Sequence, residues 1–190
     1  PITKESKHYF FKLGNFEPML REWTQGDHLQ AEVGRKLGEW FDSGLQDWDI
    51  SRDAPYFGFE LPDHPGKFYY VWFDAPIGYI SATKQWATDN NKDWKDYWKD
   101  ENSELIHFIG KDNIVFHCII FPIILKANEG YNLPKNVPAN EFLNLEGEKL
   151  STSKNWAIWL HEYLEDFEGQ EDSLRYVLCA TAPESKDTNF

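Results

Sequence analysis

Apolar residues recur at helical spacing in the first quarter of the chain, and charged residues lie between them. Five of them stand three or four positions apart: Leu29, Val33, Leu37, Trp40 and Phe41. This spacing predicts an amphipathic helix, which Gly44 ends. An earlier helix is predicted to begin at Phe16 behind Asn15 as its N-cap, with Pro18 tolerated in the first turn. Residues 6–45 therefore indicate two or three helices.

The pattern changes near residue 54. Aromatic and β-branched residues dominate segments 56–61 and 67–74, and a Pro-Asp-His-Pro-Gly stretch separates the two segments. This predicts a hairpin that feeds a buried strand, with Trp72 at the end of that strand.

Further along the chain, apolar segments of strand and helix length alternate. A helix is predicted over 77–87 behind Pro76, and a strand over 105–109 that ends at Gly110. The remaining predicted elements are a buried helix over 114–127 with a kink at Pro122, an extended segment over 136–145, a tight turn at Gly147, and helices over 157–165 and 171–182. Such alternation is typical of a doubly wound parallel sheet, in which ligands bind beyond the carboxyl ends of the strands.

The composition narrows the possible classes of protein. The chain has 190 residues, of which 41% are hydrophobic and 17% aromatic, and this argues against disorder. It contains no apolar run long enough for a membrane span and no signal-peptide pattern. A net charge of −13 argues against a domain that holds nucleic acid by phosphate neutralisation alone. Two cysteines, Cys118 and Cys179, lie inside apolar runs, which excludes a cysteine-rich zinc site and favours a reducing cytosol.

Three segments fall at the predicted carboxyl ends of strands, and the first is 74–79 with the residues just before it. Trp72 and Tyr79 flank Pro76 and Gly78, so the two aromatic rings could form the walls of an apolar pocket. Ordinary core packing is the alternative interpretation. The run Asp-Ala-Pro-Ile-Gly-Tyr is more unusual than core packing requires, which favours the pocket.

The second segment is 110–117. Gly110 would let the backbone approach a ligand closely, and the Asp112 carboxylate could accept hydrogen bonds from ribose hydroxyls. A Gly-Lys-Asp sequence is also a good turn. His117 follows on an apolar helix, where a lone histidine is more often a core residue.

The third segment is 147–154. Three small hydroxyl residues, Ser151, Thr152 and Ser153, lie between Lys149 and Lys154. Such a loop could close on phosphates through ammonium and backbone N–H groups, and a solvated surface turn is the alternative. The chain has no P-loop, no Gly-x-Ser-x-Gly elbow and no His-Glu-x-x-His. Its six histidines lack metal-ligand spacing, so no metal site is predicted.

Taken in order, these segments resemble the class I aminoacyl-tRNA synthetases, and among them the methionyl-tRNA synthetase family. The stretch from Trp72 to Tyr79 is similar to that family's Trp-x-Asp-Ala-Pro-Ile-Gly-Tyr, and HFIGKDNIVFH over 107–117 is similar to its segment at the nucleotide ribose. KLSTS over 149–153 stands where the family has KMSKS. Residues 48–58 and 172–176 add to the resemblance, which covers essentially the whole chain.

The resemblance implies activation of methionine by ATP, with Mg²⁺, to methionyl-adenylate, followed by transfer to tRNA. It implies a methionine pocket formed by Trp72, Pro76, Tyr79 and His117. It implies ATP contacts from Gly110, Asp112, Leu143 and Lys149, and a catalytic loop formed by Lys149, Ser151, Thr152 and Ser153.

Two departures from the family pattern matter. Thr152 replaces the second lysine of KMSKS, so either Lys149 alone or Lys154 carries the loop's charge, and we favour Lys149 because its position matches. The His-x-Gly-His motif of class I enzymes is absent. The resemblance therefore implies a central piece of a longer synthetase, inactive by itself, cytoplasmic and without zinc.

The resemblance also implies a division of the chain into three parts. Residues 1–50 would be the helical end of the connective insertion. Residues 51–145 would be the second half of a Rossmann-like doubly wound sheet. Residues 146–190 would form the loop and the start of the stem-contact helices.

Two alternatives remain at this stage. One is a class I synthetase for isoleucine, valine or leucine, although these lack the set of Trp72, Tyr79 and His117. The other is a non-enzymatic aromatic-rich binding module. Such a module would place tryptophans on open strands, whereas Trp40 and Trp72 are expected at core-facing positions.

Overall fold

The computed structural model describes residues 5–190, so the first four residues of the predicted 1–50 segment lie outside the described residues. The helices are α1 (Glu17–Thr24), α2 (Ala31–Asp42), α3 (Val71–Asp74), α4 (Ile77–Asp89), α5 (Lys95–Trp98), α6 (Phe121–Ala127), α7 (Leu160–Asp166) and α8 (Glu171–Ala180). The strands are β1 (Phe10–Phe11), β2 (Trp48–Asp49), β3 (Ser51–Asp53), β4 (Lys67–Tyr69), β5 (Ile109–Gly110), β6 (Ala139–Asn140), β7 (Leu143–Leu145), β8 (Glu148–Lys149) and β9 (Thr188–Asn189). The mixture of helices with parallel and antiparallel strand pairs confirms the α/β class.

The chain divides into two compact units. The first unit contains the residues up to His107 together with Asn113–Pro138. The second unit contains Phe108–Asp112 and Ala139–Phe190.

Helix α2 confirms most of the prediction made from its apolar spacing, although it begins at Ala31 and leaves Leu29 outside. Val33, Leu37 and Phe41 are buried, and Gly44 follows the helix with a φ of +78°, a conformation that glycine adopts without strain. The expectation that Trp40 and Trp72 face the core is wrong, because these residues are 47% and 41% exposed. Trp40 lies beside the buried stripe of α2 and not within it.

The start of the first helix also differs from the prediction. Residues Leu13–Phe16 form a 3₁₀ turn, and α1 begins only at Glu17 without a side-chain cap. Asn15 lies inside this turn, where its backbone N–H donates to the carbonyl of Lys12. Pro18 lies in the first turn of α1, as predicted.

Strand β4 is shorter than predicted. It pairs antiparallel with β3, Ser51 opposite Tyr69, and Phe68 bridges to Glu60 across the predicted turn. The residues after Tyr70, predicted as strand, form helix α3. Aromatic residues favour a strand only where a partner strand continues. Beyond Ser51, the first residue of β3, the Tyr70 N–H still donates to the carbonyl of Ile50, but Trp48 and Asp49 pair with β1 and not with the residues after Tyr70. The backbone instead closes local bonds, such as Ala75 N–H to the carbonyl of Val71.

The predicted helix over 114–127 is interrupted. A π-helical turn, Phe116–Ile120, precedes α6, in which Pro122 lies in the first turn. Because proline has no N–H, the α-helical ladder cannot run through it unchanged. The segment is nevertheless buried as predicted: Phe121 packs with Ile80, Trp98 and Leu125 in the core of the first unit.

The second unit has a three-stranded sheet with β7 in the centre. Strand β8 pairs antiparallel with β7, and β9 pairs parallel with it. A two-residue turn joins β7 to β8, with φ of +50° at Glu146 and +85° at Gly147. Two residues with positive φ form a type I′ turn, which matches the tight turn predicted at Gly147.

Candidate functional site

Tyr79 and His117 form a hydrogen-bonded pair in the first unit. Tyr79 lies in the first turn of α4 and His117 in the π-helical turn, and the Tyr79 hydroxyl is 3.0 Å from Nε2 of His117. Nδ1 of His117 lies 3.0 Å from the carbonyl oxygen of Asn113. Because a carbonyl only accepts, Nδ1 carries the proton and Nε2 accepts the hydroxyl hydrogen of Tyr79.

The environment of His117 favours its neutral form. Only 6% of the residue is exposed, and burial lowers the pKa of the imidazole although the hydrogen bond to Asn113 opposes this. Tyr79 is 49% exposed. The pair is therefore uncharged, with the tyrosine half exposed and the imidazole that accepts its hydrogen bond buried.

Trp72 and Pro76 adjoin this pair. Trp72 lies on α3, not at the end of a strand, and its ring stacks on Phe116 at 4.5 Å between centroids. Pro76 is buried and precedes α4. Phe116 is the residue before His117, so α3, α4 and the π-helical turn bring the predicted methionine set to one region of this unit.

A groove of about 640 Å³ lies on the same unit. It is lined chiefly by aromatic and aliphatic side chains, among them Phe57, Phe59, Val71, Phe73 and Ile77. None of the four residues predicted to bind methionine is among its lining residues in the described part of the chain.

His107 belongs to this cluster, although no sequence pattern gave it a role. Its ring stacks on Phe121 at 5.5 Å and lies edge-on to His117 at 5.4 Å. The residue is 9% exposed, and within residues 5–190 neither ring nitrogen has a hydrogen-bond partner. Burial, assisted by the neighbouring His117, lowers the pKa of His107 to about 4. A buried polar group without a partner is costly, so its presence calls for an explanation.

The predicted nucleotide residues lie in the second unit. Gly110 ends β5, and the space beside its Cα is open to at least 4 Å. Asp112 lies in the 3₁₀ turn Lys111–Asn113, with its carboxylate 3.9 Å from the ammonium of Lys149. Both side chains are 67% exposed, so a ligand can reach them.

The segment after Lys149 forms a tight turn. Ser151 and Trp156 exchange two backbone hydrogen bonds of 2.9 Å, and the hydroxyls of Ser151 and Ser153 are 3.2 Å apart. Thr152 and Ser153 are exposed. The hydroxyl residues predicted for the loop therefore lie on a turn that solvent reaches.

Leu143 faces away from Lys149. Asn144 is directly opposite Lys149 in the pairing of β7 with β8, and successive side chains of a strand point to opposite faces. Leu143 and Leu145 line an apolar cavity of about 260 Å³ with side chains from α7 and α8, including Leu160 and Leu174. The structure thus brings Asp112 and Lys149 together and places Leu143 on the other face of the sheet.

Within residues 5–190, no group of three or more His, Cys, Asp or Glu side chains could hold a metal ion. No helix in that range has both the length and the apolar character needed to cross a bilayer.

A family model tests the resemblance that the sequence motifs indicate. The family model described as tRNA synthetases class I (M) matches residues 1–190. The chain belongs to this family. This membership decides against the aromatic-rich binding module, and the designation (M) distinguishes the family from the synthetases for isoleucine, valine and leucine.

Individual synthetases are also similar to this chain over its whole length. Proteins named Methionine--tRNA ligase from Christiangramia forsetii and Flavobacterium psychrophilum are 58% and 57% identical, over 100% of this chain and 28% of each relative. The chain thus spans just over a quarter of the length of these curated relatives. The solved structure of Mycobacterium tuberculosis methionyl-tRNA synthetase in complex with methionyl-adenylate matches with a TM-score of 0.78 and 26% identity, covering 98% of this chain and 36% of that chain.

Proposed function

We propose that this chain supplies methionine and nucleotide contacts of a methionyl-tRNA synthetase, an enzyme that joins methionine to tRNA at the expense of ATP. The observation that carries the proposal is the pair of Tyr79 and His117 within a chain of the tRNA synthetases class I (M) family. The similar Mycobacterium tuberculosis synthetase is solved in complex with methionyl-adenylate, which supports the same reaction.

The fold supports a finer assignment. We place the chain in the second half of a doubly wound Rossmann-like sheet, preceded by helices and followed by the start of the stem-contact helices. Parallel pairing of β5 with β6 and of β7 with β9 supports this. The proposed parts remain residues 1–50, 51–145 and 146–190.

The methionine side chain would contact the rings of Trp72 and Tyr79, with Pro76 and His117 beside them. A thioether is apolar and polarisable, and its contacts with aromatic ring edges contribute about 0.3–1.5 kcal/mol each. The hydroxyl of Tyr79 adds a polar group near the sulfur. A neutral His117 suits this site, because an imidazolium beside a thioether would be buried without a counter-charge.

ATP would bind at the second unit. Gly110 leaves room for close approach, Asp112 would accept hydrogen bonds from the ribose hydroxyls, and Leu143 would contact the adenine. The open face beside Gly110 and Asp112 supports the first two contacts. Because Leu143 faces the apolar cavity, its contact with adenine rests on the family resemblance.

In the reaction, a carboxylate oxygen of methionine attacks the α-phosphorus of ATP. The bond from this phosphorus to the bridging oxygen breaks, and pyrophosphate leaves with the electron pair. Lys149 would stabilise the charge that develops on the phosphate oxygens, while Ser151, Thr152 and Ser153 would donate hydrogen bonds. Mg²⁺ would enter with the ATP phosphates, as part of the substrate.

Partners and location follow from this assignment as proposals. The proposed partners are methionine, ATP and tRNA, and the proposed location is the cytoplasm.

The 190-residue chain by itself should have no ATP–pyrophosphate exchange activity. Exposed groups such as Lys149 act at high effective dielectric, where one contact contributes on the order of 1 kcal/mol. Turnover that Lys149→Ala abolishes would show that the chain is active alone.

The test of the proposed function is a chimeric ligase, in which this chain replaces the matching segment of the Christiangramia forsetii ligase. Methionine-dependent ATP–pyrophosphate exchange is measured, and the same ligase with the segment deleted is the control. We expect exchange in the chimera and none in the control. A chimera that folds, by circular dichroism and gel filtration, yet shows no exchange would overturn the proposal.

A further inference from the structure

Two lysine ammonium groups of the second unit contact the same aromatic ring. Nζ of Lys111 lies 4.2 Å from the ring centroid of Phe142, and Nζ of Lys149 lies 4.3 Å from it. Both distances are well within the roughly 6 Å over which the face of a ring attracts a cation. Phe142 belongs to none of the sequence motifs that predicted the site.

The hairpin register places Lys149 at this ring. The two-residue turn at Glu146 and Gly147 sets Lys149 opposite Asn144, and Phe142 precedes Asn144 by two residues. Phe142 is therefore the diagonal neighbour of Lys149 on one face of the sheet. A slip of one residue would move the lysine to the apolar face of Leu143, so the fold specifies this contact.

The two lysines differ in the other groups that their ammonium ions contact. The ammonium of Lys111 donates to Asp187 at 2.7 Å and to Glu141 at 2.5 Å, and these bonds raise its pKa. Asp187 also accepts the backbone N–H of Phe142 at 2.9 Å, which ties the ring's backbone to this ion-pair cluster. Lys111 is thus already neutralised by protein carboxylates.

Lys149 has no such anchor. Within residues 5–190 its ammonium contacts the Phe142 ring and lies 3.9 Å from the Asp112 carboxylate, beyond hydrogen-bond distance. An incoming phosphate would have no hydrogen-bonded carboxylate to displace from Lys149. A ring face attracts the ammonium without accepting a conventional hydrogen bond, so it restricts a flexible side chain and leaves its donors available.

We infer that Phe142 is a positioning residue for Lys149, holding the ammonium beside Asp112 where the phosphates of ATP would meet it. This inference rests on the proposed function for the role of Lys149, whereas the contact itself can be tested without activity.

The contact is tested by NMR on the 190-residue chain with labelled lysine. The Cε protons of Lys149 should be shifted upfield by the ring current of Phe142, relative to those of Lys154, which has no ion pair or ring contact in the described part of the chain. Phe142→Leu should abolish the shift, and Phe142→Tyr should keep it. An unchanged shift in Phe142→Leu would overturn the inference, whatever the activity.

The role is tested by exchange kinetics in the chimeric ligase. Phe142→Leu should lower kcat about two- to fivefold, which corresponds to about 0.4–1 kcal/mol at about 1.36 kcal/mol per tenfold. The KM for methionine should not change. The conservative variant Phe142→Tyr should keep kcat near that of the wild type. In a Lys149→Ala background, Phe142→Leu should have no further effect.

The outcomes separate the two proposals. Additive effects of Phe142→Leu and Lys149→Ala would overturn the positioning role, because Phe142 would then act independently of Lys149. An inactive chimera whose Lys149 protons show the ring-current shift would count against the proposed function and leave the contact established.

Discussion

The hydroxyl of Tyr79 donates a 3.0 Å hydrogen bond to Nε2 of a His117 side chain that is itself held by the carbonyl of Asn113. Two separate elements, α4 and the π-helical turn, are joined by this bond. It fixes one tautomer of the imidazole and points the tyrosine hydroxyl at it. The arrangement predicts which substrate will respond when the cluster is altered.

Trp72→Ala or His117→Ala in the chimeric ligase should raise the KM for methionine roughly tenfold, because about 1.4 kcal/mol of ring and hydrogen-bond contact is lost. The KM for ATP should change far less. Initial rates of exchange at varied methionine and ATP measure both constants. Trp40→Ala is the matched control, since Trp40 is comparably exposed and lies outside the cluster. Equal effects on both substrates would place Trp72 and His117 in general packing.

His107→Phe should raise the free energy of unfolding of the 190-residue chain at pH 7.5 by about 1 kcal/mol. The substitution keeps an aromatic ring against Phe121 and removes two buried nitrogens that lack partners. Urea denaturation followed by circular dichroism gives the value. His117→Phe is the contrasting variant, because it breaks two hydrogen bonds and should destabilise. A clear loss of stability in His107→Phe would contradict the account of an unpartnered imidazole.

Acid should destabilise the chain through His107. The pKa of His107 is about 4 in the folded state and about 6.5 in the unfolded state. Above pH 6.5 the imidazole is neutral in both states, so its titration costs no stability there. As the pH falls from 6.5 towards 4, the unfolded state binds the proton first and stability is lost. Between pH 7.5 and 5.0, wild type should lose about 2 kcal/mol more than His107→Phe. Parallel urea titrations of the two proteins at these pH values test this, and identical losses would contradict it.

The hairpin that carries Lys149 should respond in opposite directions to its two turn residues. Gly147→Ala should destabilise the chain by about 1 kcal/mol, because a φ of +85° is strained for alanine. Glu146→Asn should stabilise it slightly, because asparagine tolerates positive φ at the first position of a type I′ turn. Thermal unfolding compares the variants. Equal melting temperatures would argue against this turn geometry.

Local patterns predicted the elements whose structure depends on local physics. The stripe of Val33, Leu37 and Phe41 is buried as helical spacing requires, and the turn at Gly147 has the positive φ that glycine favours. Helix α4 and helix α8 also lie where their apolar spacing predicted. In each case the residues that decide the structure lie within about one helical or hairpin turn of one another.

The remaining features depend on partners that are distant in sequence. Residues Val71–Asp74 have strand-forming side chains, yet β3 begins at Ser51 opposite Tyr69, and the residues before Ile50 pair with β1 instead. His107 lies in an apolar run, where the sequence cannot show that both ring nitrogens lack partners. The contact of Phe142 with Lys149 depends on strand register, which the sequence analysis did not assign.

The central claim is that Lys149, held near Asp112, acts on the phosphates of ATP, and kcat of methionine-dependent exchange in the chimeric ligase tests it most directly. Lys149→Ala should lower kcat by about 10²–10³, as expected when a donor used mainly in the transition state is lost, with little change in the KM for methionine. Lys154→Ala, which removes the same charge a few residues away, should leave kcat near wild type. A neutral Lys149→Ala together with a damaging Lys154→Ala would contradict the account.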